Sequence, residues 1–284
     1  MARWADRTWL ITGASTGFGR AMAELVLGRG GRVVATARDV ATLAGLVDAS
    51  GGRAIGVALD VRDPGQAAAA MARVEAFGGT DVLFNNAGYG FLGGLEESGA
   101  EEMAEQFDVN LFAPIRLAKA VLPGMRARGR GFIVNMSSIA GVQAFPGSPF
   151  YSGSKFALEG VSEALAGEVA PFGIGVMIVE PGYFRTDFAG RSIRMTTSPH
   201  PAYAELARRR AQVSQFDGAQ PGDPARGVAA IVAAIVAAME TEAPPLRLAL
   251  GRDAHAFAIA TLDARRAELD RWADVTCDTD FAGR

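Results

Sequence analysis

Short apolar runs rich in β-branched residues alternate along the chain with longer Ala/Leu-rich segments of helical period, the pattern of repeated βαβ units. The period predicts strands at residues 8–12, 32–36, 54–58, 81–84, 131–136, 175–179 and 246–250. Helices are predicted at 18–28, 42–49, 66–77, 101–128, 151–170, 224–240 and 254–272, most behind a polar or proline start signal. Such alternation gives an α/β fold: one doubly wound domain over residues 1–284, with an about seven-stranded parallel sheet covered by helices on both faces. Between Gly182 and Gly222 the periodicity weakens, and Pro199, Pro201, Gly218 and Pro221 punctuate the stretch, leaving one short helical piece near residues 202–212. Long excursions of this kind are commonly functional, so a substrate lid is expected at about 183–221 and a helical C-terminal extension at about 253–284.

Composition narrows the function classes. The chain has 284 residues with an apolar share of 49%, a charged share of 21% and a net charge of −3, ordinary for a globular protein. Basic residues are scattered, which argues against a nucleic-acid partner. The single Cys277 excludes an intrachain disulfide framework, and with only His200 and His255 no metal-ligand spacing is expected. The N-terminal apolar run is too short for a secretory signal. The most apolar stretch, 228–239, is too short for a membrane span, which needs about 20 residues. These features point to a metal-free protein of the cytoplasm.

The run Thr12-Gly13-Ala14-Ser15-Thr16-Gly17-Phe18-Gly19 follows the first predicted strand and opens the first helix. Glycines there permit a tight turn and close backbone approach, and the helix N-terminus offers free N–H groups to a pyrophosphate. At the end of the second strand the sequence reads Val33-Val34-Ala35-Thr36-Ala37-Arg38. The acidic residue that would hold an NAD ribose is missing. A guanidinium can instead pair with a 2′-phosphate, so Arg38 favours NADP(H) over NAD(H); the alternative is a solvated arginine at the start of the next helix.

Further motifs follow in order: Asn85-Asn86-Ala87-Gly88, Asn110, Ser137-Ser138, Tyr151-Ser152-Gly153-Ser154-Lys155, and Pro181-Gly182 with Thr186. Together with the glycine run they resemble the short-chain dehydrogenase/reductase family, in the subgroup with Thr-Gly-x-x-x-Gly-x-Gly and Tyr-x-x-x-Lys. The likeness is dense over about residues 8–190 and is nearest to retinol- and steroid-dehydrogenase-like members. It implies a Rossmann fold and a nicotinamide cofactor. On this likeness Gly13, Ser15, Thr16, Gly17, Phe18 and Gly19 hold the adenosine and pyrophosphate end, Asp60 and Val61 flank the adenine, Asn86, Ala87 and Gly88 support the middle, and Pro181, Gly182 and Thr186 touch the nicotinamide side. The catalytic positions of the family map onto Asn110, Ser138, Tyr151 and Lys155, with Asn110 implied to fix a water behind Lys155. The resemblance also implies a homodimer or homotetramer.

Reducing a carbonyl needs a hydride at carbon and a proton at oxygen. Tyr151 can supply the proton, but a free tyrosine titrates at about pH 10, so its anion must be stabilised for the reverse direction. Lys155, four residues on, lies on the same helix face, where its ammonium favours the phenolate and can bond the nicotinamide ribose. Ser138, at a strand end, can hold the substrate oxygen. Expected pocket walls are Phe91 and Leu92, residues 142–146 with Gln143 and Phe145, and Tyr183 and Phe184; Gln143 and Arg185 could each add a polar contact. Mainly apolar, they suit a hydrophobic carbonyl or secondary alcohol as small-molecule substrate. A catalytically silent NADP-binding sensor on the same fold remains the alternative class.

Overall fold

In the computed structural model, which describes residues 7–188, 190–213, 218–241, 245–279 and 281, the predicted strands form one parallel sheet. Its members are β1 (Thr8–Ile11), β2 (Arg32–Ala37), β3 (Ala54–Ala58), β4 (Val82–Asn85), β6 (Gly131–Met136), β7 (Ile174–Pro181) and β9 (Arg247–Leu250). Their order is β3-β2-β1-β4-β6-β7-β9. The chain winds outward from β1 to β3, then returns through β4 and winds the other way. The carboxyl ends of β1 and β4 therefore open a crevice at the reversal, the usual ligand site of such sheets.

Helices α1 (Gly17–Gly28) and α8 (Pro224–Thr241) cover one face; α3 (Pro64–Ala76), α5 (Ala113–Arg128) and α6 (Pro149–Val169) cover the other. Alternation along the strands sorts the core accordingly. Trp9, Ile11, Val33, Ala35, Phe132 and Val134 pack beneath α1 and α8, whereas Leu10, Val34 and Ile133 pack beneath α3 and α5. With both faces buried, the strands read as continuous apolar runs. The short α2 (Ala44–Asp48) links β2 to β3.

Two features depart from the pattern read off the sequence. The helix predicted over 101–128 is interrupted: α4 (Ala100–Phe107) passes through a π-helical turn, Asp108–Phe112, before α5 begins. The turn shifts Asn110 inward, where it is 1% exposed. Secondly, three-residue strands β5 (Gly90–Leu92) and β8 (Ile193–Met195) pair in parallel as a separate sheet, so the excursion after Pro181 is fastened at mid-length. It continues through α7 (Ala204–Val213). The helix expected over 254–272 is α9 (Arg252–Arg271), followed by the short α10 (Ala273–Cys277), and α9 lies against the loop that follows β6. No helix among the described residues is long and apolar enough to cross a membrane.

Candidate active site

A cleft of about 840 Å³ runs along the carboxyl edge of the sheet. One end is built by the glycine turn. Thr12, at the end of β1, accepts at Oγ1 from the backbone N–H groups of Asn86 and Ala87, both at 2.9 Å. The Asn86 amide donates to the carbonyls of Thr12 at 2.9 Å and Gly13 at 3.2 Å, so the turn after β1 and the turn after β4 are locked together. Gly13 (φ +64°) and Gly17 (φ +55°) occupy the left-handed region that side chains avoid. A Cβ on Gly19 would overlap the Gly13 carbonyl oxygen, so only glycine lets α1 close on the turn.

The N-terminus of α1 has neither a side-chain cap nor an acidic residue in its first turn. Its open N–H groups and positive dipole end face the cleft beside Gly13, Ser15, Thr16, Gly17 and Phe18. A dinucleotide pyrophosphate fits these donors and this backbone approach.

Beyond α1 the cleft is lined by Arg38, Asp60, Val61 and Arg62. Arg62 donates to Asp60 at 2.6 Å and 3.0 Å, and this hydrogen bonding holds the Asp60 carboxyl below its usual range. Arg62 also pairs with Glu105 of α4, which pairs with Arg194 of β8 at 2.6 Å. Arg38 is exposed at the rim and has no ion pair among the described residues. Asn86, Ala87 and Gly88 line the middle, Pro181, Gly182 and Thr186 the far side.

At the centre of the cleft, Ser138 caps the single 3-10 turn after β6, and its Oγ accepts from the Ala140 N–H at 3.1 Å. The same hydroxyl faces Tyr151 on α6 in the cleft and favours its phenolate. Lys155, one turn further along α6, is 6% exposed; its Nζ donates to the Met136 carbonyl at 2.8 Å and lies 5.8 Å from the Tyr151 ring centroid. Burial pushes Tyr151 up to about 12, opposed by the Ser138 hydrogen bond. Burial also pushes Lys155 down to about 8, opposed by the negative charge of Glu159. The sequence reading expected the ammonium to pull the phenol down. Desolvation outweighs it, and the phenol stays protonated across the neutral range.

Asn110 stands behind this pair rather than on the cleft wall. Its Oδ1 accepts from the Tyr89 N–H at 3.1 Å, and its Nδ2 donates to the Tyr89 carbonyl at 3.0 Å and to Ser154 at 3.3 Å. A Cβ on Gly88 would come within 3.1 Å of Asn110 Oδ1 and 3.7 Å of Lys155 Nζ, so Gly88 leaves these polar groups side by side. The Asn85–Asn135–Ser162 hydrogen-bond chain, at 2.8 Å per link, ties β4 and β6 to α6 below them.

The remaining wall is mainly apolar. Phe145, Tyr183, Phe184, Phe188 and Leu206 line it, together with Leu92. Phe184 packs on Phe18 with centroids 4.9 Å apart, and Phe188 packs on Tyr151 at 5.9 Å. Of the residues expected at the wall, Phe91, Val142, Gln143, Ala144 and Arg185 do not line the cleft. Gln143 accepts from Thr261 of α9 at 3.2 Å, Arg185 donates to the Gln220 carbonyl at 3.3 Å, and Phe91 is a buried member of β5 with 3% exposure. Phe188 and Tyr89 also line the cleft, and no motif revealed them.

The family model described as short chain dehydrogenase matches residues 7–196. The chain is 36% identical over 272 residues to oxidoreductase BOA17 of Botryotinia fuckeliana, covering 95% of this chain and 98% of that one. It is 41% identical over 194 residues to human retinol dehydrogenase 8, covering 66% and 62%. Among solved structures, a short-chain dehydrogenase from Streptomyces avermitilis superposes with TM-score 0.90 at 46% identity, covering 99% of this chain and 100% of its own. A Burkholderia phymatum member in complex with NAD (TM-score 0.79, covering 95% and 96%) and a Sphingobium yanoikuyae member with NADPH (0.70, covering 98% of each) are each 27% identical.

Proposed function

The chain belongs to the short-chain dehydrogenase family, and from that premise we propose that it interconverts a carbonyl and an alcohol on a hydrophobic small molecule, using NADP(H). The observation that carries this reading is the placement of Ser138, Tyr151 and buried Lys155 together in one cleft with the open glycine turn.

When bound, the nicotinamide supplies or accepts the hydride. Gly13 to Phe18, Asp60 and Val61, Asn86 to Gly88, and Pro181, Gly182 and Thr186 hold the cofactor. Arg38, exposed and without an ion pair among the described residues, takes the 2′-phosphate, which favours NADP(H). Ser138 Oγ positions the substrate oxygen. Tyr151 Oη gives its proton to that oxygen during reduction and takes it back during oxidation. Protonated at neutral pH, it is ready as the acid. Lys155 holds positive charge beside the phenolate left behind and bonds the nicotinamide ribose, and Asn110 keeps the Tyr89 backbone and a water path in place behind it.

The excursion at 183–221 is the lid. Its apolar face, with Tyr183, Phe184 and Phe188, selects hydrophobic carbonyls or secondary alcohols, the class to which retinoid-like compounds belong. Exposed Phe112 and Val161, on the outer sides of the π turn and α6, support assembly as a homodimer or homotetramer.

NADPH oxidation with a panel of aliphatic and aromatic ketones and aldehydes, followed at the nicotinamide absorbance, tests the reading. Turnover is expected in the wild type. Tyr151→Phe should keep NADPH binding while kcat falls by about 10²–10⁴, the range for a lost general acid. Near-normal turnover in that variant would remove Tyr151 from its role, and tight NADPH binding without turnover in the wild type would favour the silent sensor.

A further inference from the structure

Behind Lys155 lies a cluster of ionisable groups that the proposed chemistry does not use. Glu159 is four residues along α6 from Lys155, on the same helix face, and is 6% exposed. Glu180 of β7 is 4% exposed, and the two carboxyl groups are within hydrogen-bonding reach of each other. Arg247 of β9 donates from Nε to Glu159 Oε2 at 3.0 Å and lies 3.6 Å from Glu180 Oε1; its Nη2 is committed to the exposed Glu163 at 2.6 Å. Ser137, at the end of β6, and Gly141, in the 3-10 turn, close the remaining side. A Cβ at Gly141 would lie 2.6 Å from Ser137 Oγ and 3.2 Å from Glu159 Oε1. These are the charged and titratable groups that face the pair from α6, β7 and β9.

The hydrogen-bond account of this cluster does not close with both carboxylates ionised. Glu159 Oε1, Glu180 Oε1 and Ser137 Oγ are each buried without a well-formed partner. Two like charges in contact, served by one guanidinium already divided among three carboxylates, cannot both be kept from water. A single proton between the orphan oxygens makes one carboxyl a donor and the other an acceptor, and satisfies both.

We propose that Glu159 and Glu180 share one proton, carried by Glu180 at neutral pH, and that the remaining charge on Glu159 keeps Lys155 protonated, making the two glutamates a positioning pair for the lysine. The distances assign the proton. Glu159 has the closer guanidinium contact, while Glu180 is pushed up to about 7 by burial and by the charge of Glu159. Burial lowers Lys155 and the charge of Glu159 opposes it, leaving the lysine at about 8. The pair titrates as a unit with the lysine. The inference rests on the proposed role of Lys155 beside Tyr151.

The chain contains only two lysines, Lys155 and the exposed Lys119. Full-length protein labelled with [ε-¹³C]lysine therefore gives two resonances, assigned through Lys119→Arg. In the wild type the Lys155 signal is expected to titrate near pH 8. In Glu159→Gln its midpoint should fall by about one pH unit, the effect of removing a nearby opposite charge. In Glu180→Gln, which fixes that position in the neutral form and leaves the charge of Glu159 beside the lysine, the midpoint should fall by clearly less than in Glu159→Gln. Equal shifts in the two variants, or none in either, would overturn the pair.

Infrared spectra give a second measurement that requires only the wild type and Glu180→Gln. A carboxylic-acid band that titrates at about pH 7 should be present in the first and missing from the second. No such band in the wild type would also overturn the proposal. Neither readout depends on turnover, so a failed carbonyl assay and a failed lysine titration count against different statements.

Discussion

Tyr151 and Lys155 are both displaced toward their neutral forms by one cause, the loss of water around them. A residue spacing can announce that such a pair exists; it cannot announce the sign of the shift, which depends on what the rest of the chain packs around it. Hence the glycine turn, Asn110, Ser138, Tyr151 and Lys155 were legible as motifs, while Phe188 against Tyr151 and Glu180 against Glu159 were not, each pair depending on how separate elements pack and not on spacing within one. Arg38 is a prediction at this scale. Arg38→Ala should raise KM for NADPH by roughly 10–100-fold, equivalent to about 1.5–3 kcal/mol for a charge-assisted contact, and leave KM for NADH unchanged. Steady-state kinetics with the two cofactors decide it; equal losses with both would withdraw the 2′-phosphate contact.

Among the elements, the long helices and the seven central strands follow from periodicity, because each buries a continuous face. The π-helical turn at Asp108–Phe112 and the strands β5 and β8 do not, being too short to carry a period. What secures the α7 end of the proposed lid is Glu97, buried and accepting from Arg210 at 2.5 and 3.0 Å, from the Gly94 N–H at 2.8 Å and from the His200 N–H at 3.0 Å. Chiefly through Arg210, its carboxyl is held down at about 2, below the ordinary 4.5. A depressed carboxyl stabilises the fold fully above its unfolded value, and that stability drains as pH falls from 4.5 toward 2. Hydrogen exchange in residues 193–213 should therefore quicken over that window while the central strands stay protected. Arg210→Met should produce the same loosening at neutral pH, because it leaves a buried charge unpaired. Unchanged protection of α7 in that variant would show that the lid is held by other contacts.

For the whole molecule, the sheet order accounts for the position of the cleft, and βαβ alternation was enough to foresee it. The function of the C-terminal extension was not readable, since its contacts are with the loop after β6. Phe257 meets Phe145 edge-on at 6.1 Å, Thr261 donates to Gln143, and Arg265 donates to the Val142 carbonyl at 2.5 Å. Asp253, at the start of the same helix, accepts from the Tyr183 N–H at 2.7 Å. Removing residues 257–284 keeps Asp253 but frees the wall that carries Phe145. The expected result is a rise of about tenfold in substrate KM, about 1.4 kcal/mol, with the NADPH dissociation constant unchanged. A parallel loss of NADPH affinity, measured by calorimetry, would mean that the extension supports the whole sheet edge instead.

The pairing of β8 with β5 anchors the described residues after Pro181 at a second point, Ile193–Met195. Most of the entropy of ordering that stretch is thereby lost once, when the protein folds, and not anew with every molecule that enters. A substrate meeting preorganised walls keeps more of its contact energy as affinity, and closure is left to a few side chains at the rim.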